Sequence, residues 1–302
     1  MTENLSFSQL NTYSRCPEQY RLERVVRVPQ TPSWAMIGGS AVHTATERRD
    51  LLEHGVEPDG SLDFETILEE ETRDREEHSG MGRDKFRASG RSSKAWPNRE
   101  DEGWWLHHGP QMVDQWTRFN RNFPHPLWLA GWDGDPQIAG GVADPAIEVP
   151  FTYAIPDTGL LVRGFVDRVY ETANGDLIAV DLKTGSSKQP SLRQLGVYKV
   201  ALEEKFGREV KFGMFWDART GVGTALEVLD DHTPERLSYQ MRALSLARRE
   251  NLYIAAPSNM CVSCSVRDYC YEVTPDATTR VRPPWVSPDE WGAPDFVGEV
   301  SA

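Results

Sequence analysis

Asp181 and Lys183 lie two residues apart in an apolar segment, 177–183, that the sequence predicts to be a β-strand. Side chains two apart on a strand leave the same face of a sheet, so the carboxylate and the ammonium group would lie together. The carboxylate could hold a divalent cation, and the ammonium group could reach a water molecule or a phosphoryl oxygen beside it. Asp167, on the preceding predicted strand, could supply a second carboxylate. These residue types fit metal-dependent hydrolysis of phosphodiester bonds with Mg²⁺ or Mn²⁺.

The turn between the two strands decides whether Asp167 can join Asp181. A two-residue turn on Asn174-Gly175 would pair Asp167 with Leu182 and send the two carboxylates to opposite faces of the sheet. A three-residue loop over 173–175, with Gly175 in the left-handed conformation, pairs Asp167 with Asp181 instead. The metal site therefore requires the three-residue loop.

The cysteines form a second group of residues that could bind a metal ion or a cluster. Cys16 stands alone, whereas Cys261, Cys264 and Cys270 follow a C-x2-C-x5-C pattern that we call the cysteine knuckle. Structural zinc sites usually draw on two local pairs, but an iron–sulfur cluster needs four thiolates and no second pair. An iron–sulfur cluster is therefore favoured, with zinc or unconnected thiols as the alternatives. The sequence has no signal peptide and no membrane-spanning apolar run, so we expect a cytoplasmic protein with reduced thiols.

The charge of the chain is unevenly distributed. The formal net charge of the 302 residues is −13, which argues against a protein that coats nucleic acid by bulk electrostatics. Residues 63–78 carry eight acids, whereas residues 83–99, the basic segment, carry six basic residues and one acid. With Trp104 and Trp105 after it, the basic segment could form a mobile loop that binds single strands. The alternative is a solvated insertion whose tryptophans belong to the core of the next helix.

Periodicity and turn residues predict the elements that must position these groups. Ser6 or Ser8 would cap a helix that continues through Cys16 to Val25, and Gly38-Gly39 would open a second helix with His43 and Glu47 on one face. Further helices are predicted over 63–78, 105–119, 190–206 and 234–253, and strands over 147–154, 160–170, 177–183 and 211–216. Beyond Tyr271 the prolines and acids predict little independent structure.

Five segments together resemble the PD-(D/E)xK nuclease superfamily, specifically the RecB-type nuclease domain. They are SFSQLNTYSRCPEQY, GGSAVHTATE, GFVDRVYETANGDLIAVDLKTG, QLGVY and CVSCSVRDYC. Among the relatives of that domain, the chain is most similar to its iron–sulfur members, the AddB nuclease and the Cas-four exonucleases of CRISPR adaptation. Each segment alone would be a weak signal, but together they are specific.

The resemblance implies an α/β fold with a restriction-endonuclease-like core, in which helices flank a central mixed β-sheet. A single nuclease domain would span 1–273, with a helical N-terminal part (1–145) that carries a charged insertion at about 54–104. The nuclease core would span 146–217, and the C-terminal helix and the cysteine knuckle 232–271. An iron–sulfur cluster would tie the N-terminal helical region to the C-terminal helix, and a proline-rich acidic tail would follow over 274–302.

The resemblance also implies roles for individual residues. His43, Asp167 and Asp181 match the family's metal ligands, with the Leu182 carbonyl as a further ligand. Lys183 matches the catalytic lysine, and Gln194 and Tyr198 match a Q-x-x-x-Y pair that completes the catalytic set. Cys16, Cys261, Cys264 and Cys270 match four ligands of a 4Fe-4S cluster. Val166 stands where the family signature has proline, and Glu47 and Glu148 are interpreted as solvated charges rather than ligands.

The predicted function is a DNA exonuclease that acts on single strands or DNA ends with Mg²⁺ or Mn²⁺. It would serve repair, recombination, or phage or CRISPR DNA processing, with DNA and a protein of such a pathway as partners and no membrane. The sequence has no G-x-x-x-x-G-K-S/T motif with which to open a duplex itself. A structure-specific endonuclease stays open as a variant. The alternative is an iron–sulfur DNA-end-binding accessory module with weak or no nuclease activity.

Overall fold

The structure is a computed structural model that describes residues 2–130, 144–185 and 191–297. Its helices are α1 (Phe7–Arg15), α2 (Pro17–Tyr20), α3 (Trp34–Glu53), α4 (Phe64–Ser79), α5 (Glu102–Asn122), α6 (Arg193–Phe206), α7 (Pro234–Arg249), α8 (Ala277–Arg280) and α9 (Pro288–Trp291). Its strands are β1 (Glu3–Leu5), β2 (Leu129–Ala130), β3 (Asp144–Pro145), β4 (Ile147–Ile155), β5 (Leu160–Glu171), β6 (Leu177–Lys183), β7 (Val210–Asp217), β8 (Val222–Gly223) and β9 (Glu227–Val228). None of these helices is long and apolar enough to cross a membrane.

A mixed β-sheet forms the centre of the fold. Its strands follow the order β1-β5-β6-β7-β8, with β4 also paired to β5 and β9 to β7. β1 and β5 run parallel, as do β6 and β7, whereas β4 and β6 are both antiparallel to β5. The strands predicted from alternation are therefore confirmed, with ends that differ by one residue or less.

Helices cover both faces of this sheet, as expected for an α/β protein. On one face, a buried cluster joins β4 and β5 side chains such as Phe151 and Val162 to α6 and α7. On the other face, a second cluster joins Ile178 and Val180 to α3, α4 and α5. We call these the α6 face and the α3 face of the sheet.

The loop between β5 and β6 is the three-residue loop that the metal site requires. Glu171 pairs with Leu177 and Arg168 with Val180, so the same register places Asp167 opposite Asp181. Thr172 donates its N–H to the Asp176 carbonyl at 2.9 Å, and Gly175 has φ +86°. Only glycine takes that conformation without strain, and Asn174-Gly175 therefore sets the register of both carboxylates.

The first helical region differs from its prediction. α1 begins after Ser6, whose side chain accepts a hydrogen bond from the Gln9 N–H, but it ends at Arg15. Cys16 is extended, with φ −157° and ψ 105°, and α2 starts at Pro17 before a π-helical turn over Arg21–Val26. Proline disfavours a helical conformation in the residue before it, so the helix breaks at Cys16.

The helix that carries His43 starts earlier than Gly38-Gly39. α3 begins at Trp34 with Ser33 as its cap, and the two glycines lie inside it. A Cβ atom on Gly38 would lie 1.9 Å from the Trp105 ring, and one on Gly39 would lie 2.7 Å from Thr184 Oγ1. The glycines thus allow close packing of α3 on α5 and on the end of β6. Elsewhere, α6 begins at Arg193, and the Pro190 predicted to start it lies outside the described residues.

The C-terminal tail is more ordered than its composition predicts. α8, α9 and a bridge between Val281 and Phe296 give it local structure. Val281 and Phe296 pack with Leu22 and Val266 beside the cysteine knuckle. The tail has structure because it packs on these apolar side chains, which composition alone does not reveal.

Candidate active site

Three side chains from three elements form a potential metal site. His43 on α3, Glu148 on β4 and Asp167 on β5 each offer a ligand atom within 4.8 Å of the others. His43 Nδ1 lies 3.7 Å from Asp167 Oδ2. Among the described residues, no other group of three or more histidine, cysteine or acidic side chains comes this close. Glu148 is therefore a further candidate ligand, beside the residues that the sequence predicted for this role.

Glu148 reaches the site through an irregularity in β4. Ile147 pairs with Arg168 and Val149 with Val166, so Glu148 lies across from Asp167. Glu148 has φ +47°, which is unusual for a residue other than glycine. Ile147 packs on the α3 face, whereas Val149, two residues later, packs on the α6 face. Strained backbone of this kind is common at functional sites. The local clue in the sequence was an acidic residue in an apolar strand, but its partner across the sheet depended on the β4–β5 register.

Asp167 is held by its neighbours on both sides. The Leu182 N–H donates to Asp167 Oδ2 at 2.7 Å. The fully buried Arg168 donates through Nη1 to the Asp167 carbonyl at 2.6 Å and through Nε to Asp50 Oδ2 at 2.6 Å. Its guanidinium also lies 3.5 Å from Glu148. A buried arginine is stable here because a carboxylate pairs with it, and sequence analysis did not identify this role.

A closed ring of contacts surrounds Asp181. Tyr198 donates to Asp181 Oδ1 at 3.0 Å, and Gln194 Nε2 donates to the Tyr198 oxygen at 2.9 Å. Lys183 donates to Gln194 Oε1 at 2.6 Å, and its Nζ lies 2.6 Å from Asp181 Oδ2. That last contact is an ion pair, and within the described part of the chain it is the one contact that balances the buried Asp181 Oδ2. Gln194 and Tyr198 therefore contact Lys183 and Asp181, the two residues predicted to take part in the chemistry.

Burial shifts the pKa values of these groups. Burial lowers the pKa of His43 to about 4, although the negative charge of Asp181 acts in the opposite direction. The imidazole is therefore neutral near pH 7 and can bind a metal. Burial raises the pKa of Glu148 to about 8 and that of Asp181 to about 6, and the negative charge on Asp167 is the second cause of both shifts. Burial also raises the pKa of Asp167, although the Leu182 N–H opposes it. Several carboxylates in one buried place repel each other, and a cation would relieve that repulsion.

The donor set fits a divalent cation. Carboxylate oxygens with one imidazole suit Mg²⁺ or Mn²⁺ better than a soft metal. Asp181 Oδ2, which is buried beside Lys183, is a further oxygen that could bind a cation. The Leu182 backbone hydrogen-bonds His43 as well as Asp167, so this peptide lies beside two of the ligands.

An open cavity of about 480 Å³ gives access to the site. His43, Glu47, Glu148 and Thr184 are among the residues that line it, and His43 and Glu47 share one face of α3 as predicted. A larger cavity, about 1200 Å³, lies between the β4–β5 turn and α7 and is lined by Tyr239 and Arg242. None of the predicted site residues lines the larger cavity.

The four cysteines come from opposite ends of the chain but lie in one region. All four are free thiols and partly exposed. Backbone N–H groups donate to two of the sulfur atoms: Gln19 and Ala256 to Cys16 at 3.4 and 3.5 Å, and Ser258 to Cys261 at 3.3 Å. Burial raises the pKa of Cys264 and Cys270, and charge on Cys16 would add to both shifts. The Ala256 N–H that contacts the Cys16 sulfur lies 240 residues away in sequence, a few residues before the knuckle, so the two ends of the chain meet here.

Some arginines of the basic segment make contacts that hold the fold together. Arg83 lies 2.8 to 3.2 Å from carboxylates of Glu69, Glu76 and Glu102. Arg87 donates to the carbonyl oxygens of Thr31 and Ser263. These contacts occupy the guanidinium groups of Arg83 and Arg87, whereas Arg91 and Lys94 are exposed.

The two tryptophans after the basic segment have different environments. Trp105 is fully buried in the α3-face cluster, so the alternative prediction of a core residue is correct for it. Trp104 is half-buried, stacks on His108 at 4.2 Å between ring centroids and has the Arg219 guanidinium 5.0 Å from its ring. Neither tryptophan is an exposed stacking surface.

Comparisons with known proteins agree with this site. The family model described as PD-(D/E)XK nuclease superfamily matches residues 4–271. The "Gene 69 protein" of Mycobacterium phage L5 is 27% identical over 88% of this chain and 95% of its own length. The "Gene 69 protein" of Mycobacterium phage D29 is 30% identical over 68% of this chain and 70% of its own.

A solved structure described as "Crystal structure of SSO0001" aligns with 90% of this chain and 88% of its own, at 12% identity. Its TM-score of 0.39 is too low to support an argument. The family match, in contrast, spans the N-terminal helices, the sheet and the knuckle, and it includes the metal site and the lysine beside it. The chain therefore belongs to the PD-(D/E)XK nuclease superfamily.

Proposed function

We propose that this protein is a metal-dependent DNA exonuclease that hydrolyses phosphodiester bonds of single strands or DNA ends. The observation that carries the proposal is the group of His43, Glu148 and Asp167, whose ligand atoms lie within 4.8 Å of one another and beside which Lys183 contacts Asp181 at 2.6 Å. A cation site next to a fixed ammonium group matches what phosphodiester hydrolysis needs.

His43, Asp167 and Asp181, together with Glu148 and the Leu182 carbonyl, would hold Mg²⁺ or Mn²⁺. The bound cation would supply a water of lowered pKa and neutralise charge on the phosphoryl group. Lys183 adds positive charge where the transition state gains negative charge. Gln194 holds Lys183, and Tyr198 holds Asp181, so these two residues would keep the catalytic pair in place.

We propose that Cys16, Cys261, Cys264 and Cys270 bind a 4Fe-4S cluster. Backbone N–H donors to sulfur support this assignment, because they stabilise thiolates around such clusters.

The pathway we favour is phage DNA processing, because both curated relatives come from mycobacteriophages. DNA is the substrate, and a recombination, repair or CRISPR-adaptation protein is the partner class that such an exonuclease would serve.

The test offers end-labelled linear DNA and closed circular DNA, each single- and double-stranded, with Mg²⁺ or Mn²⁺. Wild-type protein should degrade linear single strands from their ends and leave circles intact, and Asp181→Ala protein should do neither. Cleavage of circles would indicate an endonuclease. Binding to DNA ends without cleavage by wild-type protein would favour the accessory module instead.

A further inference from the structure

One face of the β4–β5 hairpin is exposed although it adjoins the metal site. Along β4, Val149, Phe151 and Tyr153 are buried on the α6 face, whereas Pro150, Thr152 and Ala154 between them are exposed. Along β5, Arg163 and Phe165 are exposed between buried neighbours. The exposed residues at alternate positions, Pro150, Thr152, Ala154, Arg163 and Phe165, form what we call the hairpin face.

Phe165 is the unusual member of the hairpin face. A phenylalanine in the middle of a strand is normally buried, but 58% of Phe165 is exposed. It belongs to none of the buried clusters, and among the described residues no other aromatic ring packs against it. Its partner across the hairpin is Pro150, which is also exposed. Nothing in the described part of the chain explains an aromatic ring held in solvent here.

The hairpin face leads directly to the metal ligands. Glu148 lies two residues before Pro150 on β4, and Asp167 lies two residues after Phe165 on β5. Two residues of strand span about 7 Å, so the Phe165 backbone lies about that far from Asp167 and Arg163 about twice as far. A polynucleotide with one phosphate at the metal site would therefore pass Phe165 and then Arg163 if it ran along the hairpin.

The charge of Arg163 suits such a strand. Arg163 pairs with Thr152 across the hairpin, and the described residues contain no ion pair or side-chain hydrogen bond for its guanidinium. Some arginines of this acidic chain, such as Arg83 and Arg168, are paired with carboxylates, so their charge is already used within the fold. An unpaired guanidinium and an exposed ring, one step apart, combine the two groups that bind single strands, one for a phosphate and one for a base.

We infer that the hairpin face binds the single strand next to the cleaved bond, with a base stacked on Phe165 and a phosphate on Arg163. The inference rests on the proposed function and adds its substrate preference. Bases inside a duplex are stacked on each other and cannot lie on the ring, so this contact selects unpaired DNA. A second copy of this chain is the competing occupant, and the test separates the two.

The experiment measures binding of a labelled oligothymidylate in the Lys183→Ala background, which slows cleavage. Phe165→Ala should weaken binding by about 5- to 150-fold, the loss expected for one stacking contact, and Phe165→Trp should restore it. Arg163→Ala should lower the slope of log affinity against log salt by about 0.7, the value for one phosphate contact. Tyr239→Ala is the matched control, because Tyr239 is 75% exposed but lines the remote cavity.

An abasic scan gives the decisive comparison. One abasic position in the oligonucleotide should weaken binding of protein with Phe165 as much as Phe165→Ala does, and it should cause no further loss in the Phe165→Ala protein. Unchanged binding after Phe165→Ala, or losses that simply add, would overturn the inference. A changed oligomeric state on size-exclusion chromatography with DNA binding intact would assign the face to a second copy and overturn it as well.

A nuclease assay distinguishes failure of this inference from failure of the proposed function. In the Lys183-containing protein, Phe165→Ala should raise KM for single strands and leave cleavage of duplex ends nearly unchanged. If wild-type protein cuts DNA and Phe165→Ala protein cuts and binds single strands equally well, only the hairpin-face inference is wrong. If wild-type protein neither binds nor cuts DNA, both proposals are wrong.

Discussion

The Tyr198 hydroxyl on α6 donates a hydrogen bond of 3.0 Å to Asp181 Oδ1 on β6. Burial raises the pKa of Tyr198 far above its usual value, so the hydroxyl keeps its proton and acts as a donor. One oxygen of Asp181 is thereby fixed, and the other, Oδ2, forms an ion pair with Lys183. Tyr198 therefore orients a carboxylate that can bind a cation.

Tyr198→Phe should keep the packing of the ring and remove only this hydrogen bond. Because partners of metal-binding carboxylates orient them, we expect a loss of about 10- to 100-fold in apparent Mn²⁺ affinity or in activity. Metal titration of nuclease activity measures it. Tyr153→Phe is the control, since Tyr153 is also a buried tyrosine of the α6 face but does not contact Asp181. Equal metal dependence in the two variants would contradict the orienting role.

Asp181→Ala should abolish cleavage, and Lys183→Ala should lower the rate by about 10²- to 10³-fold, the usual loss for one electrostatic group. DNA binding should largely survive Lys183→Ala, because the lysine acts mainly in the transition state. Single-turnover rates and equilibrium binding measure the two effects. Full activity of the Asp181→Ala protein would refute the site.

Glu148→Gln should weaken metal binding, whereas Glu47→Gln should not, although both glutamates line the same cavity. Only Glu148 comes within ligand distance of His43 and Asp167. Isothermal titration with Mn²⁺ compares the variants. Identical affinities for the two variants would return Glu148 to the status of a solvated charge.

Stability of the metal-free protein should fall as pH rises from about 4.5 to about 8. The pKa of Glu148 is raised from 4.5 to about 8 by burial and by Asp167, so the folded protein holds this proton more tightly than the unfolded chain. The stabilisation is complete below pH 4.5 and is lost as pH rises through 8. Melting temperatures in EDTA should show the decline, and Glu148→Gln or added Mg²⁺ should reduce it. A decline of equal size in Glu148→Gln protein would exclude Glu148 as its source.

Anaerobically purified protein should be brown and contain about four irons per chain. Cys16→Ala should remove the colour and lower the melting temperature as strongly as Cys264→Ala, because cluster formation is coupled to folding. Val262→Ala is the control, since Val262 lies between two of the cysteines and is 79% exposed. Colourless, zinc-loaded protein of full stability would rule out the cluster and leave the nuclease site unaffected.

Neutralising Arg91 and Lys94 together should reduce the salt dependence of DNA binding, since both are exposed and each phosphate contact releases counterions. Arg83→Ala should instead lower the melting temperature, because Arg83 joins three carboxylates from α4 and α5. Salt titrations and thermal melts separate the two effects. An unchanged salt slope after the double substitution would make the basic segment a solvated insertion.

Patterns among neighbouring residues were enough to predict, from the sequence alone, much of the strand pair that carries the catalytic residues. Alternation identified β4, β5 and β6 but left two turns open at Asn174-Gly175, and the structure has the three-residue loop that faces Asp167 to Asp181. The break at Cys16 was also within reach of the sequence, because Pro17 excludes a helical conformation before it. Such features depend only on neighbouring residues, so composition and spacing carry them.

Tertiary structure decided the rest of the site. Glu148 became a candidate ligand because the β4–β5 register places it across from Asp167 and its backbone turns at φ +47°. Arg168 acquired its role through Asp50 on α3, 118 residues away in sequence. Phe165 became an exposed ring because no described helix covers its side of the hairpin. Alternation states which side chains share a face but not what packs against that face, because packing joins segments that are distant in the chain.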